Sequence, residues 1–204
     1  MHDPAIARLR DTATQVASTL RTHERALAEA TERRLFPDGV PPGPITIAML
    51  MRAVVAAINR SAQAMAEADA RYNAALRKHK PEQAPAALIS QDVAERLAVT
   101  AELEARVEAS ADETGALLES QLFPHGRPHD LTVLAFIMTL RERIDVIVAL
   151  AEDDIDPLSE DECAELFDLL TPTAQFCAGL AAVSGLAELS QELEDLITQP
   201  KDAN

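Results

Sequence analysis

The chain contains no tryptophan, one tyrosine (Tyr72), six glycines and two cysteines in 204 residues. Such a composition starves β-sheet, whose strands draw on aromatic and β-branched side chains and whose tight hairpins turn on glycine. Cys163 and Cys177 are too few for a disulfide scaffold and lack the spacing of a redox pair, so both are expected as thiols packed in a core near the turn between two C-terminal helices. No apolar run reaches bilayer length: the window Leu131 to Leu140 is cut by Arg141-Glu142-Arg143, short of the roughly 20 residues a spanning helix needs. Met1-His2-Asp3-Pro4 shows no basic stretch before an apolar one, hence no secretory signal, and a cytoplasmic protein is expected. Also missing are a glycine-rich phosphate loop, a Gly-x-Ser-x-Gly elbow, His-Glu-x-x-His, Cys-x-x-Cys and any basic stretch interleaved with aromatics. These absences imply no cofactor and weigh against an enzyme without excluding one.

Positive charge is scarce as well, and unevenly so. Residues 1–88 carry twelve basic and nine acidic side chains, whereas residues 89–204 carry six and twenty-five, within a total net charge of -16. A chain this negative repels phosphate backbones, which disfavours nucleic acid as a partner and favours a basic protein surface.

Alanine and leucine are abundant, and apolar residues make up 48% of the chain, enough for a core. The expected fold class is all-α. Asp3-Pro4 reads as a helix start, a capping side chain followed by a ring already set to helical φ. Apolar positions then recur at steps of three and four through Ile6, Leu9, Ala13, Val16, Leu20, His23, Leu27 and Ala30 to about Leu35, where Phe36-Pro37 stops the helix. A second helix, with Pro44 in its first turn, carries a seam of Ile47, Met51, Val54, Ile58, Ser61, Met65, Ala68, Tyr72 and Ala75. Residues 78–85, polar and proline-bearing, read as a linker.

The pattern then repeats at an offset of 87. A third helix, capped by Ser90 or Asp92, runs to about Leu122 with Val93, Thr100, Leu103, Val107, Ser110, Thr114 and Leu117 on the equivalent seam. "LFPDGVPP" at 35–42 is echoed by "LFPHGRPH" at 122–129. Pro37 and Pro124 forbid helix continuation, Gly39 and Gly126 supply positive φ for a tight turn, and Leu35, Phe36, Leu122 and Phe123 can cover the helix ends. The two copies differ where a site would place its functional groups, Asp38 against His125 and Pro42 against His129, so the motif reads as a structural turn.

A fourth helix, capped by Asp130, is apolar around more of its circumference than one seam requires, and therefore needs cover on two sides. Ser159 and Glu162 form a capping-box pattern for a short fifth helix, and Thr171-Pro172 reads as the start of a sixth running to about Ile197. The expected organisation is a first hairpin over 1–78, a linker over 79–89, a second hairpin over 90–155 that repeats the first, and C-terminal helices over 156–204 packing on the second hairpin. Together these give duplicated antiparallel helical hairpins in a four-helix bundle, plus a C-terminal helical hairpin, within one compact domain.

Few residues offer chemistry. His23 sits on an apolar seam, its repeat mate is Ser110, and Arg141 lies among Ile137, Met138, Ile144 and Val148 with Asp145 four residues on. These three, His23, Ser110 and Arg141, are the candidate polar lining of an interhelical pocket, against the plainer roles of a buried polar layer and a surface ion pair. His125 and His129, with Asp130 and Glu119, suit a metal by residue type, but Pro124 and Pro128 break the helical spacing such a site needs. The acidic run Glu152 to Pro157 lacks the glycine of a calcium loop and reads as a solvated linker.

Three functions follow in order. The first is a non-catalytic acidic helical bundle that binds a macromolecular partner, a basic protein or a second copy, through a helical groove and an acidic face; Ala178, Gly179, Ala182 and Gly185 mark a place for close packing. The second is a small-molecule-binding or catalytic bundle with a pocket around His23. The third is a metal site at the 122–130 turn. Neither nucleic acid nor membrane is expected as a partner.

Overall fold

The computed structural model describes residues 4–123, 126, 131–153 and 158–198. Among them the chain is all-α: α1 (Pro4–Leu35), α2 (Ile47–His79), α3 (Gln91–Leu122), α4 (Val133–Ala151), α5 (Glu160–Val183) and α6 (Ala187–Thr198), with a 3₁₀ turn at Pro81–Gln83 and no strand. The extended helix pairs are α1 with α4 and α2 with α3, so each pair takes one helix from each copy of the repeat. Two compact units result, one from residues 1–45 and 127–204, the other from residues 46–126. These units cut across the hairpins expected over 1–78 and 90–155.

The first unit is organised around α1, which packs against α4, α5 and α6. Its expected seam is buried at Leu9, Ala13, Val16, Leu20, Leu27 and Ala30, while His23 and Ile6 are half-buried. Phe136, Ile137, Leu140 and Ile144 of α4 supply the facing layer, and Phe136 meets Phe176 of α5 edge-to-face at 5.8 Å. Helix α4 begins two residues later than Asp130 would place it: Thr132 is the cap, accepting from the Ala135 amide, and Asp130 lies outside the described residues.

Helix α5 starts at the expected capping box, with Ser159 and Glu162 bonded reciprocally and the Glu162 carboxyl held below its ordinary range by the Ser159 hydroxyl and amide. It then continues through Pro172, contrary to the helix start expected there. Tertiary packing holds Leu170, Ala174 and Cys177 buried on both sides of the proline, which offsets the one backbone bond it removes. By length and composition this uninterrupted α5 is long and apolar enough to cross a membrane, where the pattern divided at Pro172 showed no such stretch. The stop comes instead at Gly185, φ +83, where the Leu186 amide bonds the Ala181 carbonyl and the Gly185 amide that of Ala182. That pair of bonds is a Schellman motif, and it turns the chain into α6. Ala178 and Ala182 therefore lie on α5, and Gly185 in the turn, not along one sixth helix.

The second unit is an antiparallel hairpin of α2 and α3. Thr46, not Pro44, opens α2 by accepting from the Met49 amide, because a cap needs a side-chain oxygen directed at a free amide. The seam facing α3 is not the large apolar one. Ala48, Val55, Ala62, Ala66 and Asn73 are buried, with Arg52 bonded to Glu108 and Asp112 and Asn59 to Thr100 and Glu104. Met65 and Tyr72, expected inside, are 44% and 64% exposed. Small residues let the helices approach closely: a Cβ on Gly115 would lie 2.8 Å from the Ala48 amide nitrogen.

What reverses the chain is the segment between α2 and α3, which composition alone marks as an open linker. Buried Asn73 donates to the Leu88 carbonyl, Arg77 donates to the Pro85 and Ala86 carbonyls, and the Asp69 carboxylate accepts the Ser90 amide at 2.6 Å. Ser90 thus caps α3 by position without a side-chain bond, its own amide held from α2. The amide of Ser90, then its hydroxyl, keeps the Asp69 carboxyl below its ordinary range. A depressed folded value means that the strap contributes fully above the unfolded value of about 4 and is lost as pH falls through the folded one. The stability difference between wild type and Asp69→Asn is accordingly expected to be flat from neutral pH down to about 5 and to narrow below about 4 in circular-dichroism melts. A difference independent of pH would show that the carboxylate does not hold the strap.

Candidate functional site

The two Leu-Phe-Pro copies stand where α1 and α3 end, and where described they fold alike. The Phe36 amide bonds the Glu32 carbonyl and the Gly39 amide that of Phe36; the Phe123 amide bonds Glu119 and the Gly126 amide Phe123. Gly39 and Gly126 have φ of +98 and +93, which only glycine adopts without strain. Leu35 and Phe123 are buried. Beyond the turns the Ile45 amide donates to the Leu131 carbonyl at 2.9 Å, with both side chains buried, so the outgoing and returning chain are tied together. Pro124, His125 and His129 lie outside the described residues. Glu119, offered as a fourth ligand, accepts the Ile47 amide. Among the described residues no group of three or more metal-ligating side chains converges.

The candidate pocket residues fall in different units. Ser110, in the second, is exposed and bonds the Arg106 carbonyl one turn back. His23 and Arg141 belong to the first. Arg141, 13% exposed, donates to Glu24 of α1 at 3.0 Å and to Asp145 on its own helix, and Arg21 reaches Asp145 at 2.9 Å. With Glu142 at 3.8 Å from Arg141, two cations and three carboxylates thus form an ion-pair lattice fastening α1 to α4. The Arg141 guanidinium is engaged by protein carboxylates on both edges, the geometry of a clamp between helices.

Cys163 and Cys177, expected as core thiols near a turn between two helices, are both buried but sit on one continuous helix. Fourteen residues apart at 1.5 Å each, they are separated by about 21 Å along the axis, beyond any disulfide. Burial pushes the Cys177 thiol up to about 12, which leaves no thiolate for chemistry at neutral pH.

A surface feature stands out instead on the first unit. Val146, Leu150 and Leu169 are 57%, 44% and 47% exposed, and with Ile147, Leu166, Arg143 and Thr173 they line a groove of about 250 Å³ between α4 and α5. On the same two helices exposed carboxylates accompany it: Glu162, Glu165 and Asp168 on α5, and Glu142 on α4. Helices α5 and α6 together carry nine carboxylates and no lysine or arginine. Opposite-sign charge focused beside an apolar trough suits an amphipathic segment with a basic flank. The surplus apolar positions of α4 were legible in its sequence. The contribution of α5 is not legible there, because Thr171-Pro172 divides Leu166 and Leu169 from the rest of the helix by the local rule.

Compared with known protein families, with curated proteins and with solved structures, the chain matches none of them.

Proposed function

We propose that this chain is a non-catalytic helical binding protein, serving as an adaptor, assembly or regulatory component, whose acidic C-terminal part takes a basic amphipathic helix of a protein partner into the α4–α5 groove. The observation that carries this reading is the coincidence of exposed Val146, Leu150 and Leu169 with a helix pair, α5 and α6, that holds no cation at all. Exposed apolar area beside unbalanced charge is the usual make-up of a docking surface, with apolar anchors for affinity and charge for steering and selectivity. The internal repeat belongs to the same reading: it is a duplicated helix pair whose Leu-Phe-Pro turns serve as joints, supported by the equal turn geometry of the described parts.

The test is capture of partners by the tagged chain, with three baits: wild type, Val146→Glu/Leu169→Glu, and Glu165→Lys/Asp168→Lys. A stoichiometric protein with a basic amphipathic helix should be retained by wild type, lost by both variants and released by added salt. All the substituted residues are exposed, so circular dichroism should be unchanged. Identical recoveries from the three baits would sink the proposal.

A further inference from the structure

Helices α4 and α5 make only slight contact with each other, because both are anchored on α1. They meet at the Phe136–Phe176 pair and leave the groove open beside it. From that pair the numbering rises along α4 towards Val146 and Leu150 and falls along α5 towards Leu169 and Leu166, so the two walls are antiparallel. The lining runs from Arg143 to Leu150 on one wall and from Leu166 to Thr173 on the other, seven residue steps in each case, or about 10 Å at 1.5 Å per residue. That length matches two turns of a docked helix. The groove holds about 250 Å³. An apolar space of about 150 Å³ takes one benzene-sized group, so there is room here for two aliphatic side chains. A helix presents two such side chains on one face when they are four residues apart; a third, seven residues from the first, would stand a full wall length away, outside the space that two already fill.

The charges bordering this space belong to its own lip. Residues four apart differ by about 40° of helix. Glu142 stands in that relation to Val146, and Glu165 to Leu169, each rotated away from the core positions Ile144 and Leu170 towards solvent. Asp168, one residue before Leu169, lies farther out on the same side of α5. Glu162 is held by Ser159 and Glu142 lies 3.8 Å from Arg141, whereas Glu165 and Asp168 have no ion pair or hydrogen bond among the described residues. The free negative charge is therefore on the α5 lip, beside the exposed Leu169. We infer that the groove reads a short linear motif: a two-turn helix with two aliphatic anchors four residues apart and lysine or arginine on the flank that faces α5. This rests on the docking reading proposed above and narrows it, since a partner that needs only two turns presents them from a flexible segment that folds on binding, without a large folded surface.

Fluorescence anisotropy with a labelled peptide of about 16 residues, long enough to hold a helix, tests the motif on the full chain. The probe carries two leucines four residues apart, lysines flanking each leucine, and alanine elsewhere. Wild type should bind it with a dissociation constant of about 10–100 µM, as befits a contact well below standard interface size. Val146→Glu/Leu169→Glu should weaken binding by about tenfold or more. Exchanging the lysines of the probe for glutamates should weaken binding to wild type and strengthen it to Glu165→Lys/Asp168→Lys, a reversal that indiscriminate apolar adhesion does not produce. A third leucine, seven residues from the first, should improve affinity by about twofold at most. No binding by wild type, equal binding by Val146→Glu/Leu169→Glu, no charge reversal, or a gain of about tenfold from the third leucine would each overturn the inference. A protein captured by wild type and lost by the groove variants, alongside a probe that fails to bind, would leave the docking reading standing and remove the short motif alone.

Discussion

Gly115→Val is expected to lower the stability of the α2–α3 hairpin by about 3 kcal/mol. The position is helical, and glycine in a helix interior ordinarily costs up to about 1 kcal/mol against alanine, so on propensity alone a side chain there should help. Packing decides otherwise. A Cβ at 115 would lie 2.8 Å from the nitrogen, 3.1 Å from the Cα and 3.0 Å from the Cβ of Ala48. Two of those atoms are backbone and cannot rotate away, so the helices must separate and give up the Arg52 and Asn59 contacts farther along. Gly179 on α5 is the counterpart: nothing lies within 4 Å of its Cβ direction, so Gly179→Ala should stabilise by about 0.5–1 kcal/mol. Urea titrations followed by circular dichroism give both signs. Equal effects at the two glycines would mean that α2 and α3 do not approach closely at Gly115.

The first unit should respond most to Phe136→Ala, by about 3–5 kcal/mol. Phe136 is 1% exposed and meets Phe176 at an interplanar angle of 75°. Truncation removes the buried ring, leaves a cavity under α4 and α5, and forfeits the edge-to-face pair, worth about 0.5–1.5 kcal/mol by itself. Phe136→Leu retains most of the volume and should cost less than half as much. With five phenylalanines and no tryptophan in the chain, little else can fill the gap. A loss below about 1 kcal/mol for Phe136→Ala would contradict this packing.

Local signals were readable from residue order wherever a short-range rule decided the outcome. The stop of α1 at Leu35, the Ser159–Glu162 capping box that opens α5 and the all-α class each rest on neighbours a few residues apart. Reading failed where a distant partner overrode the local rule. Pro172 looked like a helix start because its ring suits one, yet Leu170, Ala174 and Cys177 hold the helix straight through it. The Gly185 stop has its own local signal, a glycine following an apolar run, which a helix start at Thr171-Pro172 running to Ile197 overrides.

The same division applies to the candidate surfaces. The 3.6-residue periodicity showed that α2 has a large apolar stripe, and the counts of acidic and basic residues showed where charge accumulates. Which stripe faces which helix was beyond periodicity, because α2 offers two: Ala48, Val55, Ala62 and Ala66, or Met51, Ile58, Met65 and Tyr72. Larger side chains gain more from burial, so the second is the natural choice from sequence. The fold takes the first, since alanines, a glycine at 115 and the hydrogen bonds of Asn59 and Asn73 permit a closer pairing with α3, and it leaves Met65 and Tyr72 outside. Periodicity is a property of one helix, and residue order is enough to establish it. The choice of partner depends on whether two surfaces fit at contact distance, and only tertiary structure brings those surfaces together.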